Sequence, residues 1–222
     1  MTRKTKTFGR PGSRSQNSRS ETLETRRLRV RVLIYCEGKK TEPLYFRQFR
    51  IQPTVRELVI RGEGTNTLKL VEEATLLDAM EGPFDEVWCV FDRDSFPSAN
   101  FDNAIRKIES MNRFFAAYSN EAFELWFLLH FEFFDSALNR EQYKEKLSRH
   151  LGRRYEKNDQ AVYTLIQTKG SETRAIAGAE RLLTSHPPQK AFAERCPVTT
   201  VHLLVQKLRS WEAASFPKPD VV

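Results

Sequence analysis

The feature that most constrains this chain is an alternation of short apolar runs with helix-patterned stretches. Val30 to Cys36, Glu57 to Ile60 or Arg61, and Val87 to Phe91 are rich in Val, Leu, Ile and aromatic residues, and a fourth such run lies within NRFFAAYSNE. Between and after them, stretches such as TNTLKLVEEATLLDAM, FDNAIRKIESM and AFELWFLLHFEFF space their apolar residues as helices do. Thr41, Glu42 and Pro43 open a helical stretch through Phe49, because a polar residue followed by Pro in the first turn marks a helix start. Near-continuous apolar strands are the kind covered on both faces. Repeated strand–helix units with short gaps are the signature of a parallel sheet with crossover helices. The sequence therefore predicts an α/β core over residues 28–134, a mostly parallel four-stranded sheet flanked by helices.

From Ala137 onward the pattern is helical with no clear strand: Arg140 to Leu151, Glu172 to Ser185 and Val198 to Trp211. Residues 135–222 thus read as a helical appendage packed on the core. Sixteen Phe in 222 residues supply a large core and argue against disorder of the whole chain. No run approaches the roughly 18 to 20 apolar residues of a membrane span, and the opening MTRKTKTFGRPGSRSQNSRSE lacks the apolar stretch of a secretory signal. Cys36, Cys89 and Cys196 are too few and too far apart for a disulfide framework or a zinc knuckle. A reducing, cytoplasmic setting without membrane contact is expected.

The net charge of +7 is uneven. Residues 1–20 carry six Lys or Arg and no acid, so the rest of the chain carries only +1. The arm, residues 1–27, is expected to be disordered. It suits DNA or RNA held by counterion release, or it is a soluble tail that binds nothing in particular. The near-neutral body argues against a built-in nucleic-acid groove.

In open α/β sheets, ligands gather where strands end and loops to the next helices emerge. Glu37 lies just past the first strand, and Asp92 and Asp94 lie at the end of the third. Alternate residues of an extended segment point the same way, so Asp92 and Asp94 project together with Arg93 turned aside. All three acids converge if the first and third strands are neighbours. Oxygen ligands suit Mg²⁺ or Mn²⁺, and such an ion can bridge phosphate oxygens and acidify a bound water. Without an ion the carboxylates repel one another. The bland alternative is that each acid caps a helix or solvates a loop. Gly38 permits close approach of a ligand, and Lys39 and Lys40 either face phosphate or form a solvated basic turn. The GKKT string lacks the spacing of a P-loop, and the glycines around Glu63 fall short of a dinucleotide fingerprint.

A second acidic group follows the fourth strand in SNEAFELWFLLH. Ser119 or Asn120 is a fitting helix cap, with Glu121 and Glu124 three apart on one face near the same sheet edge. The helix dipole alone accounts for Glu121. Glu124, surrounded by Phe123, Leu125, Trp126 and Phe127, reads as a direct metal ligand or as a carboxylate behind the ligands, where Asn120 and Glu121 also belong. His130 is either a general base or a packing partner of Trp126. Lys157, near Tyr155, and Lys169, before an expected loop, are weaker phosphate contacts. No Ser/His/Asp or Cys/His nucleophilic arrangement stands out.

Glu37-Gly38 and Asp92-Arg93-Asp94 resemble the Toprim pattern of topoisomerases, primases and overcoming-lysogenization-defect nucleases, a Glu after the first strand and Asp-x-Asp after the third. More specifically, the chain resembles the RloB family, related to an abortive-infection protein of the AbiL system. The resemblance rests on CEGKKTEPLYF (36–46), FDRD (91–94), SNEAFELWFLLHF (119–131), RRYEKN (153–158) and CPVTTVHLLVQKL (196–208), nearly the whole body beyond the arm. Asn120-Glu121 and Cys196-Pro197 stand where family members often have Asn-Pro, departures that concern turn geometry. The resemblance implies a Toprim-like core, a bacterial or archaeal defence setting and an ATPase partner encoded beside the gene. Toprim domains cleave, pass and prime strands, so the fold does not choose the reaction. The chain is too short for a tyrosine-bearing topoisomerase cleavage domain and lacks an evident primase zinc or helicase-binding module. The expected activity is a metal-dependent nuclease or related phosphodiesterase in anti-phage defence. Glu37, Asp92 and Asp94 hold Mg²⁺ or Mn²⁺, Glu124 helps place a second ion or water, and metal-activated water attacks. The alternative is a non-catalytic subunit that senses nucleic acid or nucleotide within an ATPase-containing defence complex.

Overall fold

The computed structural model describes residues 30–64, 66–93 and 97–216. The basic arm and Asp94 lie outside the described residues. Four strands follow one another in parallel, β1 (Val30–Cys36), β2 (Arg56–Gly62), β3 (Glu86–Asp92) and β4 (Phe114–Asn120). They are linked by α1 (Thr41–Phe46), α2 (Thr67–Glu81) and α3 (Ser98–Glu109). The sheet order is β2-β1-β3-β4-β5. The fifth strand, β5 (Val198–Thr199), runs antiparallel to β4 and pairs with Ser119 and Asn120. The mostly parallel α/β sheet is thus present, with one strand more than the sequence pattern predicts. Two residues are too few to show a strand period, and the apolar text that follows reads as uninterrupted helix.

Alternation along the strands decides which residues face which layer. Val32, Ile34 and Cys36 point to one side with Trp88 and Val90, while Leu33 and Tyr35 point to the other with Val87, Cys89 and Phe91. The second side is covered by α2 and α3 through Leu70, Val71, Phe101, Ile105 and Ile108. The first is covered by α1 and by α4 (Glu124–Leu129), α5 (Arg140–Leu151), α6 (Ala161–Lys169), α7 (Glu172–Ser185) and α8 (Val201–Ser215). Tyr143, Leu147, Ile166, Ala179, Leu204 and Leu208 from these helices join the cluster built on β1. All six residues of α4 are buried.

Several boundaries differ from the sequence pattern. The first helix stops at Phe46, and α4 spans six residues rather than the whole apolar run to Phe134. Val198 belongs to β5, and α8 begins at Val201. Helix α6 carries no clear sequence signal, because β-branched Val162, Thr164 and Ile166 weaken helical propensity. By contrast α5 keeps its predicted limits. Asn139 and Gln142 form a reciprocal capping box at its start, and Gly152 follows in the left-handed region at φ 72°. No helix among the described residues is long and apolar enough to cross a membrane.

Candidate functional site

Because β1 lies beside β3, Glu37 and Asp92 meet at the carboxyl edge of the sheet. The Glu37 amide donates to the Val90 carbonyl at 2.8 Å. Its carboxylate turns inward, Oε2 accepting the Asp92 amide at 3.0 Å and Oε1 accepting the Thr67 hydroxyl at 3.4 Å. Glu37 therefore ties the ends of β1 and β3 to the start of α2. Asp92 is 8 % exposed. Its Oδ1 has no hydrogen-bond partner among the described residues, and its Oδ2 stands 3.9 Å from the Arg140 guanidinium.

A carboxylate that the sequence pattern did not single out joins them. Glu42, in the first turn of α1, is buried and folds back over Gly38. A Cβ on Gly38 would lie 2.1 Å from a Glu42 carboxylate oxygen, so glycine is needed for this approach. Glu42 passed as an ordinary acidic residue at a helix start; the glycine four positions earlier was the available signal.

Glu124, 2 % exposed, opens α4. Its Oε1 accepts the Tyr155 hydroxyl at 3.1 Å and lies 3.4 Å from Lys157 Nζ. The Lys157 carbonyl is fixed in turn by the Thr41 hydroxyl at 2.9 Å. Glu42, Asp92, Glu124, Lys39, Lys40 and Lys157 line a cleft of about 340 Å³. Burial raises the Asp92 pKa well above the usual carboxylate range, reinforced by the charges of Glu42, Glu124 and Glu37 and opposed by Arg140. Burial and Glu124 likewise raise Glu42, opposed by its own backbone and by Lys157 and Arg140.

Other predicted residues lie elsewhere. Ser119 and Asn120 belong to β4 and cap no helix; the chain stays extended through Asn120, and α4 starts only at Glu124. Glu121 therefore precedes the helix instead of sharing a face with Glu124. The Asn120 side-chain amide donates to the carbonyls of Ala193 and Arg195 at 3.0 and 2.8 Å. His130 is fully buried, with Nδ1 3.0 Å from the Trp126 carbonyl, and burial pushes its pKa down to about 4. It packs edge-on against Trp126 and is absent from the cleft lining. Lys169 donates to the Leu151 carbonyl at 2.6 Å, so it serves the end of α5.

Among the described residues, no group of three or more His, Cys, Asp or Glu side chains stands ready to hold a metal ion. The donors nonetheless suit a hard divalent cation: all are carboxylate oxygens, and one buried oxygen, Asp92 Oδ1, lacks a partner. These features define a mostly parallel α/β protein with an acidic, lysine-rimmed cleft at its strand ends. The family described as RloB-like protein matches residues 32–208, a span that includes every described cleft residue, and the chain belongs to that family. Neither a curated protein nor a solved structure matches it.

Proposed function

We propose that the chain is a Mg²⁺- or Mn²⁺-dependent nuclease or related phosphodiesterase on a Toprim-like core. One observation carries this reading: Asp92 is buried with an oxygen that has no partner among the described residues, beside Glu42 and Glu124, where the sheet opens into a lysine-rimmed cleft. Carboxylates buried together cost free energy unless a cation joins them. Asp92, Glu42 and Glu124 would hold that cation, with Glu37 fixing the Asp92 backbone and Asp94 as the remaining acid of the expected set. Such an ion supplies charge at phosphate oxygens and an acidified water. Lys39 and Lys40 are suited to neutralise flanking phosphates, and Lys157 is placed to shift from Glu124 to a phosphate oxygen. Among the described cleft residues the Thr41 hydroxyl is committed to the Lys157 carbonyl, which supports water as the nucleophile.

A defence setting, an ATPase partner encoded beside the gene and DNA or RNA reaching the body through the basic arm complete the proposal; these rest on the family resemblance and the charge pattern. A second reading, a nucleic-acid- or nucleotide-sensing subunit, is favoured by the near-neutral body and by carboxylates that, among the described residues, are not drawn into a ready-made metal group. The test is Mg²⁺ or Mn²⁺ titration with end-labelled DNA and RNA, using the full chain alone and with the ATPase, against Asp92→Ala and Glu42→Gln. Metal-dependent cleavage should fall at least about 100-fold in Asp92→Ala. Cleavage by that variant at the wild-type rate rules the site out, while metal-dependent binding without cleavage in every combination supports the sensing reading.

A further inference from the structure

The two ends of the sheet are finished differently. At one end β5 and the Thr200 side chain cover part of β4. At the other, among the described residues, no strand pairs with the outer edge of β2. This edge reads Arg56-Glu57-Leu58-Val59-Ile60-Arg61-Gly62, with no Pro and with Gly only at its end. An open, regular edge of this kind is a template for another strand.

The edge is complementary to itself. Laid antiparallel to a second copy about Val59, it sets Val59 against Val59, Leu58 against Ile60, and Glu57 against Arg61 on both sides of the centre. Directly opposed apolar pairs and opposite charges are the cross-strand neighbours that stabilise a ladder. Centring on Leu58 would place Glu57 against Val59, and centring on Ile60 would place Val59 against Arg61. Only the Val59 register satisfies both kinds of pair.

The surroundings agree with this register. Leu58 and Ile60 face the cluster around Val32 and Ile34, and Val59 faces the cluster around Leu33. Glu57 and Arg61 lie on the Val59 side, in surface ion pairs with Arg31 at 3.2 Å and Glu81 at 3.7 Å, and are accessible. On the same side α2 leaves Leu76 and Met80 exposed, at 59 % and 74 %. With Tyr35, Leu77 and Arg61 they line a hollow of about 200 Å³.

We propose that β2 pairs with β2 of a second copy of this chain across a twofold axis, joining the two sheets into one. A twofold axis perpendicular to the sheet keeps both α2 helices on one face, where Leu76 and Met80 of each copy flank the junction. The long 3.4 Å bond from Arg47 to the Ile60 carbonyl gives way to the new ladder. The junction uses the edge of β2 and none of the cleft carboxylates, so it stands whatever reaction the cleft performs.

Sedimentation velocity on the full chain tests this with Glu57→Arg, Arg61→Glu and an equimolar mixture of the two. The wild type should sediment as a dimer. Each variant alone opposes like charges twice and should self-associate roughly tenfold more weakly. The mixture should recover, because each variant supplies the charge that the other has lost. Damage to the Arg31–Glu57 or Arg61–Glu81 pair within one copy would persist in the mixture, so recovery reports on the junction alone. A monomeric wild type, a dimer indifferent to both substitutions, or a mixture as weak as its components overturns the proposal.

Discussion

The carboxylate cleft and the corner where β5 meets β4 adjoin along the chain, yet they treat buried polar groups in opposite ways. At the corner the buried hydroxyls and the Asn120 amide find partners. Ser119 and Thr199 share a hydroxyl hydrogen bond at 3.0 Å, Thr200 Oγ1 accepts the Tyr118 amide at 2.9 Å, and Asn120 donates to two carbonyls. In the cleft the buried groups are acids, far costlier to desolvate, and Asp92 Oδ1 has no partner among the described residues. Folded chains normally satisfy what they bury. Like charges buried together, beside a corner whose hydroxyls are paired, support the proposed cation site in the cleft.

The largest effect expected lies on the satisfied side. Asn120→Ala leaves the Ala193 and Arg195 carbonyls without their donor and should cost about 3 to 4 kcal/mol, read from the midpoint of urea unfolding. A loss under about 1 kcal/mol would mean that the corner is not the structural element described. His130 comes next. The imidazole is buried neutral, its Nδ1–H donating to the Trp126 carbonyl. With its folded pKa near 4 and its ordinary value 6.5, the folded state resists protonation that the unfolded chain accepts. Stability present above pH 6.5 should therefore decline as pH falls towards 4, by about 3 kcal/mol in all. His130→Asn should flatten that slope.

The cleft carries the opposite sign. Asp92 and Glu42 have raised folded pKa values, so the stability they contribute is present below the unfolded carboxylate range and lost as pH rises through the folded values. At neutral pH, Asp92→Asn should therefore stabilise the metal-free chain by about 1 to 2 kcal/mol. Mn²⁺ should raise the melting temperature of the wild type more than that of the variant. A variant less stable than wild type without metal would break the contrast between the two regions.

Much of this architecture is visible in the sequence because burial on both faces leaves apolar runs, and the acids that end them mark the sheet edge. Glu37 and Asp92 were legible for that reason. Glu42 was not, since its fold-back over Gly38 is set by the local turn between β1 and α1, which apolar periodicity does not report. The short β5 was equally hidden, because its two residues are specified by pairing with Ser119 and Asn120, about eighty residues earlier in the chain. Reading Glu121 and Glu124 onto one helix face failed because the helix opens only at Glu124, with Glu121 left in the short connection that follows β4.

Two lysines give the smallest and sharpest comparison. Lys169 donates to the last turn of α5, and Lys157 sits 3.4 Å from Glu124 with its side chain partly in solvent. Either replaced by Met should cost about 1 kcal/mol or less, the Lys157 share being reduced by solvent screening. What separates them is the remedy. Lys157→Met withdraws a positive charge from the field of Glu124 and Glu42, and Mn²⁺ can return it; Lys169→Met removes a donor from a helix end, and Mn²⁺ returns nothing. Thermal melts with and without Mn²⁺ should therefore show a larger metal-dependent gain for Lys157→Met than for wild type, and an unchanged gain for Lys169→Met. Equal responses of the two variants would mean that Lys157 is a structural contact like Lys169, and that the cleft needs no cation from outside.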